Sequence, residues 1–395
     1  MKDSPYILAC QETAAPAVAR SPQLRAVFFR KRSLLLLLLP LSLLLLWISR
    51  HSPAFAEVVF AQGITKLLGQ GMSLLTGLLP FSLMEVQVIL APVLAGILVI
   101  RFILRMRRAI RSDGRAAAAI LAGGICNAAI LVSVVLFLFV LFAGVNYYRY
   151  PFAYYSGLAV EDSSVEELHS LSVRLASEAH DLRELLPETS GNDAPDWAEA
   201  SARAAEAYET LSRKYPVFAG SYGPPKPVAA SRLMSSLQIT GIFWPFTMEA
   251  NVNADVPAYG IYATMCHELA HARGFMREDE ANFIAYLACR SSEDVRLQYS
   301  GVMLALQYVT GQLWGQSAEL YREVRALYSE GMLSDLQKDA VYWAQFQNTT
   351  ISAVSSTVND AYLKVNNQSD GVRSYGRMVD LLLAEHRVYG SADAS

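Results

Sequence analysis

Apolar residues fall along this chain in two regimes: nearly unbroken runs before residue 146, and recurrence at helical spacing after it. The first run, Ser33 to Ser49, is seventeen residues of mostly leucine, at the short end for a helix that spans a bilayer. A second runs from about Leu83 to Leu104 with Pro92 inside it. A third, from about Ala116 to Val145, opens with Ala116 to Ala119 and Gly123-Gly124, small residues that suit close helix packing. Arg25, Arg30, Lys31 and Arg32 precede the first run, and five arginines lie between Arg105 and Arg115. Basic flanks stay in the cytoplasm. The pattern therefore predicts a cytoplasmic tail (1–32), span one (33–49), an outer loop (50–82), span two (83–104), a basic cytoplasmic loop (105–115) and span three (116–145). Residues 146–395 then lie outside the cytoplasm, on a multi-pass protein of the cell membrane. Ala54-Phe55-Ala56 after the first run also fits a cleavage site, but the long tail before it argues for an uncleaved anchor. In the outer loop, Glu57 to Leu79 interleaves apolar residues with Gln62, Lys66, Gln70 and Ser73, which predicts a helix lying in the membrane interface or packed on the anchor.

Beyond residue 146 the period changes. Tyr147, Tyr148, Tyr150, Tyr154 and Tyr155 suit an interfacial belt and exit linker. Ser163 or Ser164 with Glu166 or Glu167 makes a capping box for an amphipathic helix to about Leu186, and Gly191 to Pro195 is a turn before an alanine-rich helix to about Tyr215. Ala229 to Met234 and Leu237 to Phe246, bounded by Gly and Pro, predict short strands. Ile239 to Phe246 is the candidate edge strand, to which a peptide substrate adds by backbone hydrogen bonds, with Glu249, Asn251 and Asn253 lining the cleft. Aromatic core packing explains the same residues. Amphipathic helices follow at about 293–313, 316–329, 332–366 and 373–388. The expected fold is mainly α with a small β-sheet, attached to a three-helix transmembrane anchor.

Composition sharpens this. Hydrophobic residues make up 53% and charged ones 17% of 395, too apolar for an ordinary soluble protein, and the net charge of -3 excludes nucleic acid as a partner. Cys10, Cys126, Cys266 and Cys289 are scattered and form neither a disulfide framework nor a zinc knuckle; Cys266 and Cys289 read as buried free thiols.

The chemistry is concentrated between Cys266 and Asn282. His267-Glu268-Leu269-Ala270-His271 is an H-E-x-x-H motif, and in a helix that spacing puts both imidazoles on one face, one turn apart. Asp255 is a candidate cap, Pro257 suits a first turn, Ala258 to Ala272 lacks proline, and Gly274 is placed to stop the helix. Two neutral imidazoles can hold Zn²⁺ at about 2.0–2.1 Å, and a catalytic site adds a third protein ligand and a water. Glu278 is the favoured third ligand, with Glu280 as the alternative. From Glu278 a second helix begins in which Asn282, one turn on, can hydrogen-bond a ligating histidine. Arg277 occupies the place of a third histidine in the related H-E-x-x-H-x-x-G-x-x-H pattern, which removes that reading. Glu268 would be the general base. Tyr375 and His386 are candidates to meet a developing oxyanion. A surface helix with solvated histidines is the bland alternative.

H-E-L-A-H-A-R-G-F followed by R-E-D-E-A-N-F-I-A-Y-L-A-C, and preceded by G-I-F-W-P-F-T-M-E-A-N-V-N, resembles the bacterial domain-of-unknown-function 3810 family, over about Ser231 to Arg290 and again in Asn359 to Ala384. The resemblance implies a membrane-anchored, zincin-like α+β domain. E-D-E-A-N is also similar to metallopeptidases whose third ligand is the first glutamate of E-x-x-A-N, which maps onto Glu278. The expected activity is zinc-dependent hydrolysis of a peptide or protein substrate. A non-catalytic sensor or scaffold with a structural zinc site is the rival. An intramembrane protease is disfavoured by Arg273, Arg277, Glu278, Asp279 and Glu280 crowding the motif.

Overall fold

The computed structural model of the protein describes residues 31–112, 114–187, 195–347, 349–365 and 376–390. It is mainly helical with a three-stranded sheet. A 3₁₀ stretch, Lys31–Leu37, leads into α1 (Leu38–His51). A π-helical segment, Ala56–Ile64, continues into α2 (Thr65–Gly77), and two long helices follow, α3 (Leu83–Ser112) and α4 (Gly114–Phe142). Three helical stretches, Lys31–His51, Leu83–Arg111 and Arg115–Phe142, are long and apolar enough to cross a membrane. Leucines, isoleucines and valines along them face outward, while Ser42 and Ser49 of α1 and Ser133 of α4 are buried. That inversion suits helices whose solvent is lipid.

The tyrosine-rich segment is no loose linker. Gly144–Tyr148 forms a 3₁₀ turn and Phe152–Ser156 a short helix, with Tyr147, Arg149 and Phe152 fully buried. Then come α5 (Val165–Glu184), opened by the Ser164/Glu167 capping box, and α6 (Trp197–Lys214), capped by Asp196. The predicted 191–195 turn lies outside the described residues apart from Pro195.

In the sheet, β1 (Lys226–Val228) runs parallel to β3 (Glu249–Asn253), which pairs antiparallel with β2 (Gly241–Trp244), so β3 is central and β2 is an edge as expected. The stretch expected as a strand from Ala229 to Met234 instead carries α7 (Ser231–Ser236). Its Ser231 and Ser235 hydroxyls bond locally to backbone carbonyls, a turn chemistry that outweighs the apolar content. Strand alternation sends Ala250 and Val252 into the main core. Glu249, Asn251 and Asn253 point to the other face and do not line the cleft. Glu249 accepts from Lys226 Nζ at 2.6 Å and from the backbone N–H groups of Leu83 and Met84, and Asn251 accepts from Ser82. These polar side chains fasten the first turn of α3 to the sheet.

Against the sheet lies α8 (Ala258–Ala272), with α9 (Glu278–Arg290) and α10 (Val295–Gln316) packed on its other side. Cys266 and Cys289 are buried free thiols in this core. The expected 332–366 helix is broken into α12 (Glu330–Ala344) and α13 (Thr350–Val365), after α11 (Ala318–Arg325) and before α14 (Gly376–Gly390).

Candidate metal centre

The helix bearing the motif has the expected bounds, though its start is set by Pro257 and not by Asp255, whose carboxylate instead accepts from Tyr342 at 2.7 Å. Gly274 ends it with φ +83: its N–H donates to His271 O and the Phe275 N–H to Ala270 O, the paired bonds of a Schellman turn. The chain reverses in that turn, and α9 brings Glu278 back over the histidines.

The rings of His267 and His271 stand 4.6 Å apart and perpendicular. Glu278 carboxylate oxygens lie 3.2 Å from His267 Nε2 and 3.6 Å from His271 Nε2. One donor atom from each residue falls within 4.8 Å of the others, close enough to share one ion. Among the described residues no fourth His, Cys, Asp or Glu joins the group. His271 Nδ1 lies 2.7 Å from Phe275 O. A carbonyl only accepts, so the proton sits on Nδ1 and the Nε2 lone pair faces the cluster. The Asn282 side chain lies beside His267 and donates to Tyr308 at 3.1 Å.

Electrostatics favour a cation here. Burial pushes the His267 imidazolium down, but Glu278, then Glu268 and Asn282, hold its pKa up at about 9. His271 goes the other way, to about 4, because burial and the His267 charge outweigh Glu278. Glu278 is held below its ordinary value: burial opposes, and the two imidazoles prevail. His267 thus carries a proton beside an ionised Glu278, and that proton occupies a place that suits a metal ion.

Glu268 stays outside this set. Its side chain is buried, its Oε2 has no hydrogen-bond partner, and burial with the Glu278 charge lifts its pKa to about 8. It lies along β2, where the Phe243 N–H bonds it and Gly241 makes room; a methyl group at Gly241 would overlap Glu268 Oε1 and Thr264.

The alternative ligand is committed elsewhere. Glu280 accepts from Arg277 at 2.8 and 3.0 Å and from the Phe152 N–H at 2.9 Å. Tyr375 lies outside the described residues. His386 is 3.3 Å from Ser170 on the α5 side, with none of the site residues as its partner. Sequence reasoning missed the Phe275 carbonyl, whose role no side chain announces, and Tyr308, which sits in a helical apolar pattern between Leu306 and Val309. Burial and the Glu278 charge push the Tyr308 phenol well above its usual value, so it stays a proton donor at the edge of the site.

A mainly helical chain with membrane-length apolar helices and a three-donor cluster is the class of protein these observations define. The model of a family described as protein of unknown function (DUF3810) matches residues 60–383, and the chain belongs to that family. The match takes in α2, α3 and α4 along with the site, more than the Ser231–Arg290 stretch in which the resemblance is most legible. No curated protein and no solved structure matches the chain.

Proposed function

We propose that this is a membrane-anchored zinc peptidase whose catalytic unit faces the outside of the cell membrane. The observation that carries it is the three-donor cluster with a buried, unpartnered carboxylate beside it that is not one of the donors. A structural zinc site needs four protein ligands and has no use for Glu268, so the three-donor count favours the catalytic reading over the sensor or scaffold.

His267, His271 and Glu278 would hold Zn²⁺. Bound there, zinc would polarise a peptide carbonyl and lower the pKa of a coordinated water to about 7. The protein supplies the rest. Phe275 O and Asn282 fix the imidazoles. Glu268, whose Oε2 has no other hydrogen-bond partner, would hold a proton at that oxygen and deliver it to the leaving amine. β2 offers its outer edge to an extended peptide, beside the Phe243 N–H that Glu268 holds.

The test is metal content and peptide hydrolysis of the full chain and of Glu268→Gln. Equal zinc with activity lost only in the variant supports the reading. An unchanged rate removes Glu268 from the chemistry, and absence of bound zinc removes the centre.

A further inference from the structure

Helix α2 is inside out. Its buried face consists of Thr65, Gly69, Ser73 and Thr76, whereas Leu67, Leu75 and Leu78 are 75%, 70% and 80% exposed. In water that arrangement leaves the apolar stripe unburied; against lipid it is the favourable one. The polar face is fastened to the catalytic unit. Thr76 donates to Thr247 O at 3.1 Å, the Gly223 N–H donates to Ser73, and a methyl group at Gly69 would strike Met248. Thr247 and Met248 form the turn between β2 and β3.

The edge strand is pinned at the same level by the apolar helices themselves. Trp244 Nε1 donates to Gln87 Oε1 at 2.7 Å, in the second turn of α3. Phe243 shares a buried cluster with Phe142, the last residue of α4, and with Ala272 and Met276, which flank the motif turn. So β2, with Glu268 along it, lies where α3 begins and α4 ends, beside the lipid-facing stripe of α2.

We infer that the substrate is the juxtamembrane stretch of a polypeptide that is itself inserted in the same bilayer. This rests on the peptidase reading. A strand added to β2 lies within a few residues of the membrane surface, and ten extended residues cover only about 33–36 Å. The cleaved bond should therefore fall within about ten residues of the substrate's own spanning segment.

The experiment co-reconstitutes the full-length protein in phosphatidylethanolamine/phosphatidylglycerol vesicles with one test peptide presented in three ways. It is fused directly to a transmembrane helix, fused through a flexible spacer of about forty residues, or added free. Both fusions have the same surface concentration, so tethering alone cannot separate them. Expected are cuts mapping by mass spectrometry next to the membrane, and cleavage of the direct fusion at least about tenfold faster than that of the spaced one. Equal rates, or cuts at the distal end, overturn this inference and leave the peptidase intact. Failure to cut any of the three, or undiminished cutting by Glu268→Gln, overturns both.

Discussion

The guanidinium of Arg149 grips both carboxylate oxygens of Glu57, at 2.8 and 2.9 Å, across ninety-two positions of sequence. The same side chain donates to Arg273 O at 3.1 Å and lies 4.0 Å over the Phe275 ring, so the pair braces the turn that follows the helix carrying His267 and His271. Both partners are buried. Glu57→Gln should therefore cost about 3–5 kcal/mol, because it leaves an uncompensated buried charge. Replacing both partners, as in Glu57→Leu with Arg149→Met, should recover much of that loss. Chemical denaturation in detergent measures both.

The same pair sets an acid limit. Burial raises the Glu57 carboxyl, yet Arg149 more than reverses this and holds it below the usual 4.5. A depressed folded value gives stability that is complete above the unfolded pKa and is lost as pH falls through the folded one. The unfolding midpoint should drop below about pH 4.5, and Glu57→Gln should flatten that slope. An equal slope in the variant assigns the acid sensitivity to other carboxylates.

Gly274→Ala tests the turn. A side chain at φ +83 costs about 1–2 kcal/mol, and the new methyl would lie 3.1 Å from Asn146 and 3.3 Å from Arg149. Since the turn carries Phe275 O to His271, zinc affinity should fall together with stability. A thermal melt beside a zinc titration reports the two; unchanged affinity in a destabilised variant would uncouple the turn from the centre.

The two acidic candidates separate cleanly. Glu278→Gln should weaken zinc binding by more than the 10–100-fold expected for an outer partner such as Asn282. Glu280→Gln should leave zinc in place and lower stability, because it frees Arg277 and the Phe152 N–H. Competition with a chromophoric chelator ranks the two variants. The reverse order would make Glu280 the ligand.

Gly241→Ala pushes on the proposed base without touching a donor atom. Overpacking of this kind costs about 1–3 kcal/mol, and it should abolish most hydrolysis while zinc content stays at the wild-type level. Full activity in that variant would place Glu268 out of contact with β2 in solution.

What the sequence made legible was local. The bounds of the motif helix, the glycine stop, the Ser164 cap and the long apolar helices follow from period and capping, which neighbouring residues decide. Glu278 is favoured on the E-x-x-A-N that opens the second helix, and the turn at Gly274 brings its carboxylate beside both histidines. Contacts closing across the fold were not legible. Ser231 and Ser235 turned an apparent strand into a helix, Glu249 and Asn251 reached for the start of α3 and not the cleft, and Arg149 disappeared into the core to meet a glutamate from the segment before α2. Each depends on a partner whose distance in sequence no local pattern encodes.

The polar seam between residues 57–82 and the rest of the fold also decides how this protein can be handled. A secreted fragment starting near residue 146 would strip Glu57 from Arg149, Thr76 O and Phe81 O from Lys226, and Ser82 from Asn251. Such a truncation would expose a broken half-interface full of orphaned charges, so crystallisation or inhibitor screening calls for the intact polypeptide in a detergent micelle or nanodisc.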